Sequence, residues 1–206
     1  MTDVTHEIST VARTAGRRTL EAGEARVLTI SRTYPTDQAD LWDACTTPER
    51  IARWFLPVTG ELRPGGRYQL EGNAGGVVER CEAPHGFAAT WEMGDEVSWI
   101  TVRLEPEGAE RTRFTLEHLA HVDDVRWAEF GPAAAGIGWD LGLLGLERHL
   151  ADPSSTVDEA AFTSTDEGRA FMATAGREWG EAAIAAGDDP AAARAAAERT
   201  VGFYSG

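Results

Sequence analysis

The chain has 206 residues and a formal net charge of −15. That length suits one domain with an appendage, or two small ones, and it can bury a core without disulfide or metal staples. So much negative charge repels phosphate backbones and anionic headgroups, which sets aside nucleic acid and membrane surfaces as partners. All 19 basic residues are arginine. With no lysine amine, Schiff-base chemistry and the P-loop lysine are excluded, and the usage hints at a GC-rich bacterial genome.

Cys45 and Cys81 are the only cysteines, too few for a disulfide framework or a cysteine-rich zinc site. The opening MTDVTHEIST has no apolar core of a secretion signal, and the Arg17-Arg18 pair leads into Thr19-Leu20-Glu21-Ala22-Gly23-Glu24 rather than an apolar run. No stretch approaches the roughly 18 apolar residues of a membrane span. The expectation is a soluble, reduced, cytoplasmic protein.

Residues 1–25 read as a polar leader, where Val4, Ile8 and Val11 at i, i+4, i+7 predict one weak amphipathic helix. From Arg26 to Tyr34 an alternating β-branched run predicts a strand that Pro35 ends. Two short helices follow, one over about Asp37–Cys45 and one opening at Thr47 as N-cap, with Pro48 at N1 and Glu49 in the first turn. Residues 57–118 then read as an antiparallel meander. Its strands, at Val58–Leu62, Tyr68–Gly72, Val77–Cys81, Phe87–Met93, Val97–Leu104 and Thr112–His118, are separated by Gly- and Pro-rich turns.

Residues 119–130 read as a loop before a long helix over about Pro132–Leu150. At 100° per residue, Ile137, Leu141 and Leu144 share one face, while Trp139, Leu143, Leu146 and Leu150 share the opposite one. Two apolar stripes predict cover on both sides. Between them runs a stripe of Gly138, Gly142 and Gly145, each about 0.8–1 kcal/mol less favourable than alanine, so a close approach by backbone, a neighbouring helix or a ligand is expected. Residues 152–155 read as a linker. The tail from 156 reads as helical, with Thr165 or Asp166 capping a helix that runs to Ala186, Gly187 at its C′ position, and Asp189-Pro190 starting the last one. The tail keeps Phe162, Phe171, Met172, Trp179 and Ile184, so it is expected to pack on the domain or on a second copy in a homodimer, not to be disordered.

Several residues follow this order of elements closely: Leu41-Trp42, Thr47-Pro48-Glu49 and Trp54-Phe55; Gly65-Gly66-Arg67-Tyr68; Gly76-Val77-Val78-Glu79; Pro84 followed by Trp91; His118 closing the last strand; and Gly138-Trp139 in the long helix. Over Arg26 to Leu150 the series resembles the SRPBCC superfamily, also called START-like or helix-grip proteins. Within it the likeness is to the branch of the heat-shock-protein-90 ATPase activator C-terminal domain. The resemblance implies an α+β fold, a curved antiparallel sheet wrapped around the long C-terminal helix with an apolar cavity between. The 151–206 segment is then an added helical extension.

That resemblance and the strand parity name a ligand-binding set: Trp42, Trp54, Phe55, Tyr68, Trp91, Phe114, Leu116, His118 and Trp139. For each aromatic the plain alternative is that it fills the core. The favoured reading is a protein that binds a small hydrophobic or aromatic molecule, with no assignable reaction and no cofactor. One alternative is a polyketide cyclase- or aromatase-like enzyme with His118 as acid/base, assisted by Asp140 or Glu79. The other is a chaperone ATPase activator-like partner, ranked last because only one activator-like domain is present. Asp140 reads as an exposed edge position shared with Glu147, with a polar contact to a ligand as the alternative. Glu117-His118-Leu119-Ala120-His121 with Asp123 and Asp124 is the only His/carboxylate cluster, but it lacks the zincin spacing, so no metal is expected.

Overall fold

The computed structural model describes residues 8–156 and 158–205; Val4 of the expected leader helix lies outside them. In chain order the elements are β1 (Ala12–Leu20), β2 (Gly23–Tyr34), α1 (Gln38–Thr46), α2 (Pro48–Trp54), β3 (Val58–Gly60), β4 (Arg67–Leu70), β5 (Gly75–Glu82), β6 (Gly86–Met93), β7 (Glu96–Pro106) and β8 (Thr112–Ala120). Then follow α3 (Asp124–Phe130), α4 (Ala133–Ala151), α5 (Glu159–Thr163), α6 (Asp166–Ala185) and α7 (Pro190–Ser205). The strands form one curved antiparallel sheet in the order β1-β2-β8-β7-β6-β5-β4-β3. This is the α+β architecture of meander and long helix that the resemblance implies.

The chain divides into two compact units, one of residues 31–120 with 144–157, the other of residues up to 30 with 121–143 and 158 onward. In the first unit the capping chemistry sets the short helices. Asp37 accepts a hydrogen bond from the Asp40 amide at 2.8 Å and starts α1. Pro48 opens α2 as its fixed φ favours, but Thr47 makes no side-chain cap; its hydroxyl donates instead to Asp43 at 2.6 Å. The strand register places Val78, Ala89, Ile100 and His118 in one cross-strand row. Phe87, Val102 and Leu116 form the next. Because opposed residues project to the same side, these rows define one face. Ala89, Ile100, Val102, Leu104, Phe114 and Leu116 on it are buried.

In the second unit Ile8 and Ser9 are helical, while residues 12–20, read as part of the polar leader, are a strand that turns into β2 at Gly23, whose φ is 121°. Nothing in this Arg- and Thr-rich run signals a strand by apolar alternation. Its outer support comes from α6, which packs against it. The expected 119–130 loop is also corrected, since Asp123 caps α3 by accepting from the Arg126 amide at 2.9 Å. Thr165 caps α6 and Asp189 accepts from the Ala192 amide at the start of α7. Gly187, at φ 102°, takes the left-handed turn between those two helices. The tail is therefore anchored in its own chain: Thr200 donates to the Phe130 carbonyl at 2.8 Å and Tyr204 to the Ala134 carbonyl at 2.9 Å.

On α4, Ile137, Leu141 and Leu144 of one stripe and Leu143 and Leu146 of the other are buried, with Ile137 and Leu146 at 0% exposure, while Trp139 and Leu150 are half-buried. Its glycines meet different neighbours. A Cβ on Gly145 would lie 2.2 Å from the Trp54 carbonyl oxygen, and one on Gly136 would lie 2.3 Å from the Trp179 indole. Gly138, which was expected to share the close contact, has only the Tyr204 hydroxyl at 3.8 Å.

The reading of Asp140 as an exposed edge residue is overturned. It is 1% exposed, paired with Arg13 at 2.5 Å and accepting from Trp179 Nε1 at 2.8 Å. Burial pushes its carboxyl up, against the opposing pull of the Arg13 guanidinium and the Trp179 hydrogen bond. Glu147, its supposed companion, pairs with Arg32. Three elements meet at this carboxylate: β1, α4 and α6.

Candidate aromatic site on the sheet

Within the first unit an aromatic series runs over the sheet face. The Trp54 and Phe55 ring centroids are 5.6 Å apart, Phe55 lies 6.4 Å from Trp91, and Trp91 lies 6.5 Å from His118. At the other end Trp42 of α1 meets Phe87 edge-on at 6.5 Å. The helices position the upper members. Trp54 ends α2 and its Nε1 donates to the Ala44 carbonyl at 3.0 Å, which delivers Phe55 over the sheet. Below, Gly76 shares a row with Tyr68 and Trp91 and adds no side chain beside them.

Trp42, Phe55, Phe87, Trp91, Tyr68 and His118 are all half-buried, whereas Val78, Ala89, Ile100, Val102 and Leu116 on the same face are buried. Phe114 and Leu116, also in the expected set, are only 3% and 4% exposed and belong to the packed part of the face. Trp139 lies on α4 in the other unit, half-buried. Tyr68 donates its hydroxyl to the Thr90 carbonyl at 2.6 Å, and burial pushes that hydroxyl up to about 12. A half-open depression of about 270 Å³ also lies over Gly86 in this unit, rimmed by Arg80, Glu82, His85, Arg103 and Glu105 with Phe87, Val102 and Leu104 in its lining. Its charged rim suits water and counterions better than an apolar molecule.

His118 is the polar member of the aromatic series. Its Nε2 lies 2.9 Å from Ser98 Oγ, and the Ser98 hydroxyl donates to the Trp91 carbonyl at 3.0 Å. Burial lowers the imidazole to about 4, so the ring is neutral at pH 7. Ser98 was not anticipated, although the signal was present: it is a hydroxyl on the same strand parity as Ile100, Val102 and Leu104. Of the other acid/base candidates, Glu79 is exposed beside the β5 bulge, and Asp140 is committed to Arg13 and Trp179. His121 uses Nδ1 on the Glu24 carbonyl at 3.1 Å. Among the described residues no three His, Cys, Asp or Glu side chains form a group that could hold a metal ion, and no helix is long and apolar enough to cross a membrane.

A second histidine shares the neutral state. His149 is 1% exposed and its Nε2 accepts from Arg50 Nε at 3.2 Å, while its Nδ1 has no hydrogen-bond partner among the described residues. Burial and the neighbouring Arg50 lower its affinity for a proton. A histidine that binds protons more weakly folded than unfolded leaves stability intact above the unfolded value and removes it as pH falls below. Denaturant midpoints should therefore drop between about pH 6.5 and pH 4. The His118→Gln variant should show a shallower drop over that window, and an identical slope would contradict the burial of a neutral His118.

The family model for "Activator of Hsp90 ATPase homolog 1-like protein" matches residues 35–151. The chain belongs to this family. The matched segment holds α1, α2, the meander and α4, including every residue of the aromatic series. Among solved structures, the crystal structure of CalU16 from Micromonospora echinospora is 31% identical with a TM-score of 0.69, covering 84% of this chain and 98% of that one. The solution structure of CalU16 is 29% identical with a TM-score of 0.70, covering 85% and 96%. These two structures extend the likeness beyond the matched domain into the flanking elements. DynU16, of the dynemicin biosynthetic locus, shares the fold at 20% identity with a TM-score of 0.55, over 64% of this chain and 50% of that one. No curated protein matches the chain.

Proposed function

We propose that this family member binds a small, flat, uncharged apolar molecule on the sheet face beside Trp91, Phe55 and His118. One observation carries the reading: Trp42, Phe55, Tyr68, Phe87 and Trp91 are half-buried while Val78, Ala89, Ile100, Val102 and Leu116 of the same face are packed. Covering apolar surface is worth about 25 cal/mol per Å², so rings left partly open supply a ready contact area for another ring. The charge of −15 disfavours an anionic ligand. With its imidazole near 4, His118 holds almost no proton at pH 7 and is poorly matched to general-acid work. That favours binding over the cyclase-like alternative.

The test is a titration with the neutral fluorophore N-phenyl-1-naphthylamine. Saturable emission enhancement is expected, weakened about tenfold in Trp91→Ala, since a lost aromatic contact is worth about 0.5–1.5 kcal/mol beyond area. A linear, unsaturated response, or equal affinity in the variant, would overturn the proposal. Native mass spectrometry of freshly purified protein would then weigh any retained molecule.

A further inference from the structure

We propose that Ser98 is a positioning residue for this site, fixing His118 as the Nε2–H tautomer and holding its ring in register with Trp91. The inference deepens the binding reading above and rests on it for its functional meaning, but the geometry stands by itself. A serine hydroxyl has one hydrogen to give, and a carbonyl can only accept. The contact of Ser98 Oγ with the Trp91 carbonyl at 3.0 Å therefore takes that hydrogen. Oγ meets Nε2 of His118 at 2.9 Å with only its lone pairs remaining, so the ring nitrogen donates. The tautomer follows: the hydrogen is on Nε2 and the ring's lone pair is at Nδ1.

The register makes the arrangement rigid. Ser98 pairs directly with Trp91 across β6 and β7, and it pairs with Ala120, two residues beyond His118, across β7 and β8. The relay from imidazole to hydroxyl to carbonyl thus ties three adjacent strands on the face that carries the aromatics. Both ends of the relay belong to residues of the aromatic series, Trp91 and His118. Rotating the imidazole away would break the bond to Ser98, so the tilted relation of the two rings, 58° between their planes, is set by a residue that itself need touch no ligand.

The experiment is nitrogen-15 spectroscopy of the full chain with labelled histidine. Five histidines are present, and the His118 signals are those missing in His118→Gln. The expected wild-type result is a neutral ring at pH 7 with its hydrogen on Nε2 and slow exchange of that hydrogen with solvent. In Ser98→Ala the exchange should accelerate about tenfold, the equivalent of one hydrogen bond of about 1.4 kcal/mol. Ser98→Thr, which keeps the hydroxyl, should restore the slow exchange. A wild-type hydrogen on Nδ1, or exchange indifferent to Ser98→Ala, would overturn the proposal, and the first of these needs no variant to fold. Because these signals are read without ligand, they separate the two proposals: a failed fluorophore titration with an intact Nε2–H signal sinks the binding reading alone.

Discussion

Replacing Asp140 with alanine is expected to lower the unfolding free energy by about 3–5 kcal/mol, the usual consequence of removing one partner from a buried ion pair. The Arg13 side chain is 4% exposed, so its guanidinium would be left in a dry site, and Trp179 Nε1 would lose its acceptor as well. At about 2–4 °C per kcal/mol for a chain of this size, melting should fall by roughly 10 °C. The double variant Arg13→Met with Asp140→Leu should recover most of that loss, because an apolar pair of similar volume removes both charges together. A double-mutant cycle would read the coupling directly. Additive single effects, or a loss below about 1 kcal/mol for Asp140→Ala, would show that the pair does not hold β1, α4 and α6 together.

The second large effect concerns three glycines of α4, for which opposite signs are expected. Alanine at Gly138 meets nothing nearer than the Tyr204 hydroxyl at 3.8 Å, so only the helix propensity gain remains, about 0.8–1 kcal/mol of added stability. Alanine at Gly145 would place its Cβ 2.2 Å from the Trp54 backbone carbonyl. A backbone oxygen cannot rotate aside, so α2 and α4 must separate. Overpacking of this kind costs about 1–3 kcal/mol or more, which outweighs the propensity gain. Gly136→Ala should behave similarly against the fully buried Trp179 indole. Denaturant unfolding of the three variants decides the matter, and a common sign for all three would contradict these contacts. Gly145→Ala should also weaken fluorophore binding, because Trp54 carries Phe55 toward Trp91.

Much of the candidate site could be read from spacing. The alternation gave Phe114-Leu116-His118 one face of their strand and Phe87-Ala89-Trp91 one face of theirs, and the register sets both series opposite β7 residues of one parity, Ser98, Ile100, Val102 and Leu104. Ser98 escaped notice because a lone serine in a strand is ordinarily a solvated position; only its pairing opposite Trp91 makes it part of a relay. The assignment of Asp140 failed for a related reason. A carboxylate on an apolar helix reads as an edge residue unless its partner is known, and here the partner is Arg13, 127 positions away in sequence.

The sequence alone determined the local structure whose causes lie within a few residues: turns at glycine and proline, helix starts near Asp37, Thr165 and Asp189, and the strand parity of the meander. Tertiary structure decided the rest. Residues 12–20 are a strand because β2 and α6 supply the partners that an Arg- and Thr-rich run cannot find in itself. The glycines of α4 divide into close-packed and open positions because of neighbours from distant parts of the chain. The physical reason is range. Dihedral preference and alternation act between near neighbours, whereas the desolvation of an ion pair and the clash of a Cβ depend on what the folded chain brings to the same place.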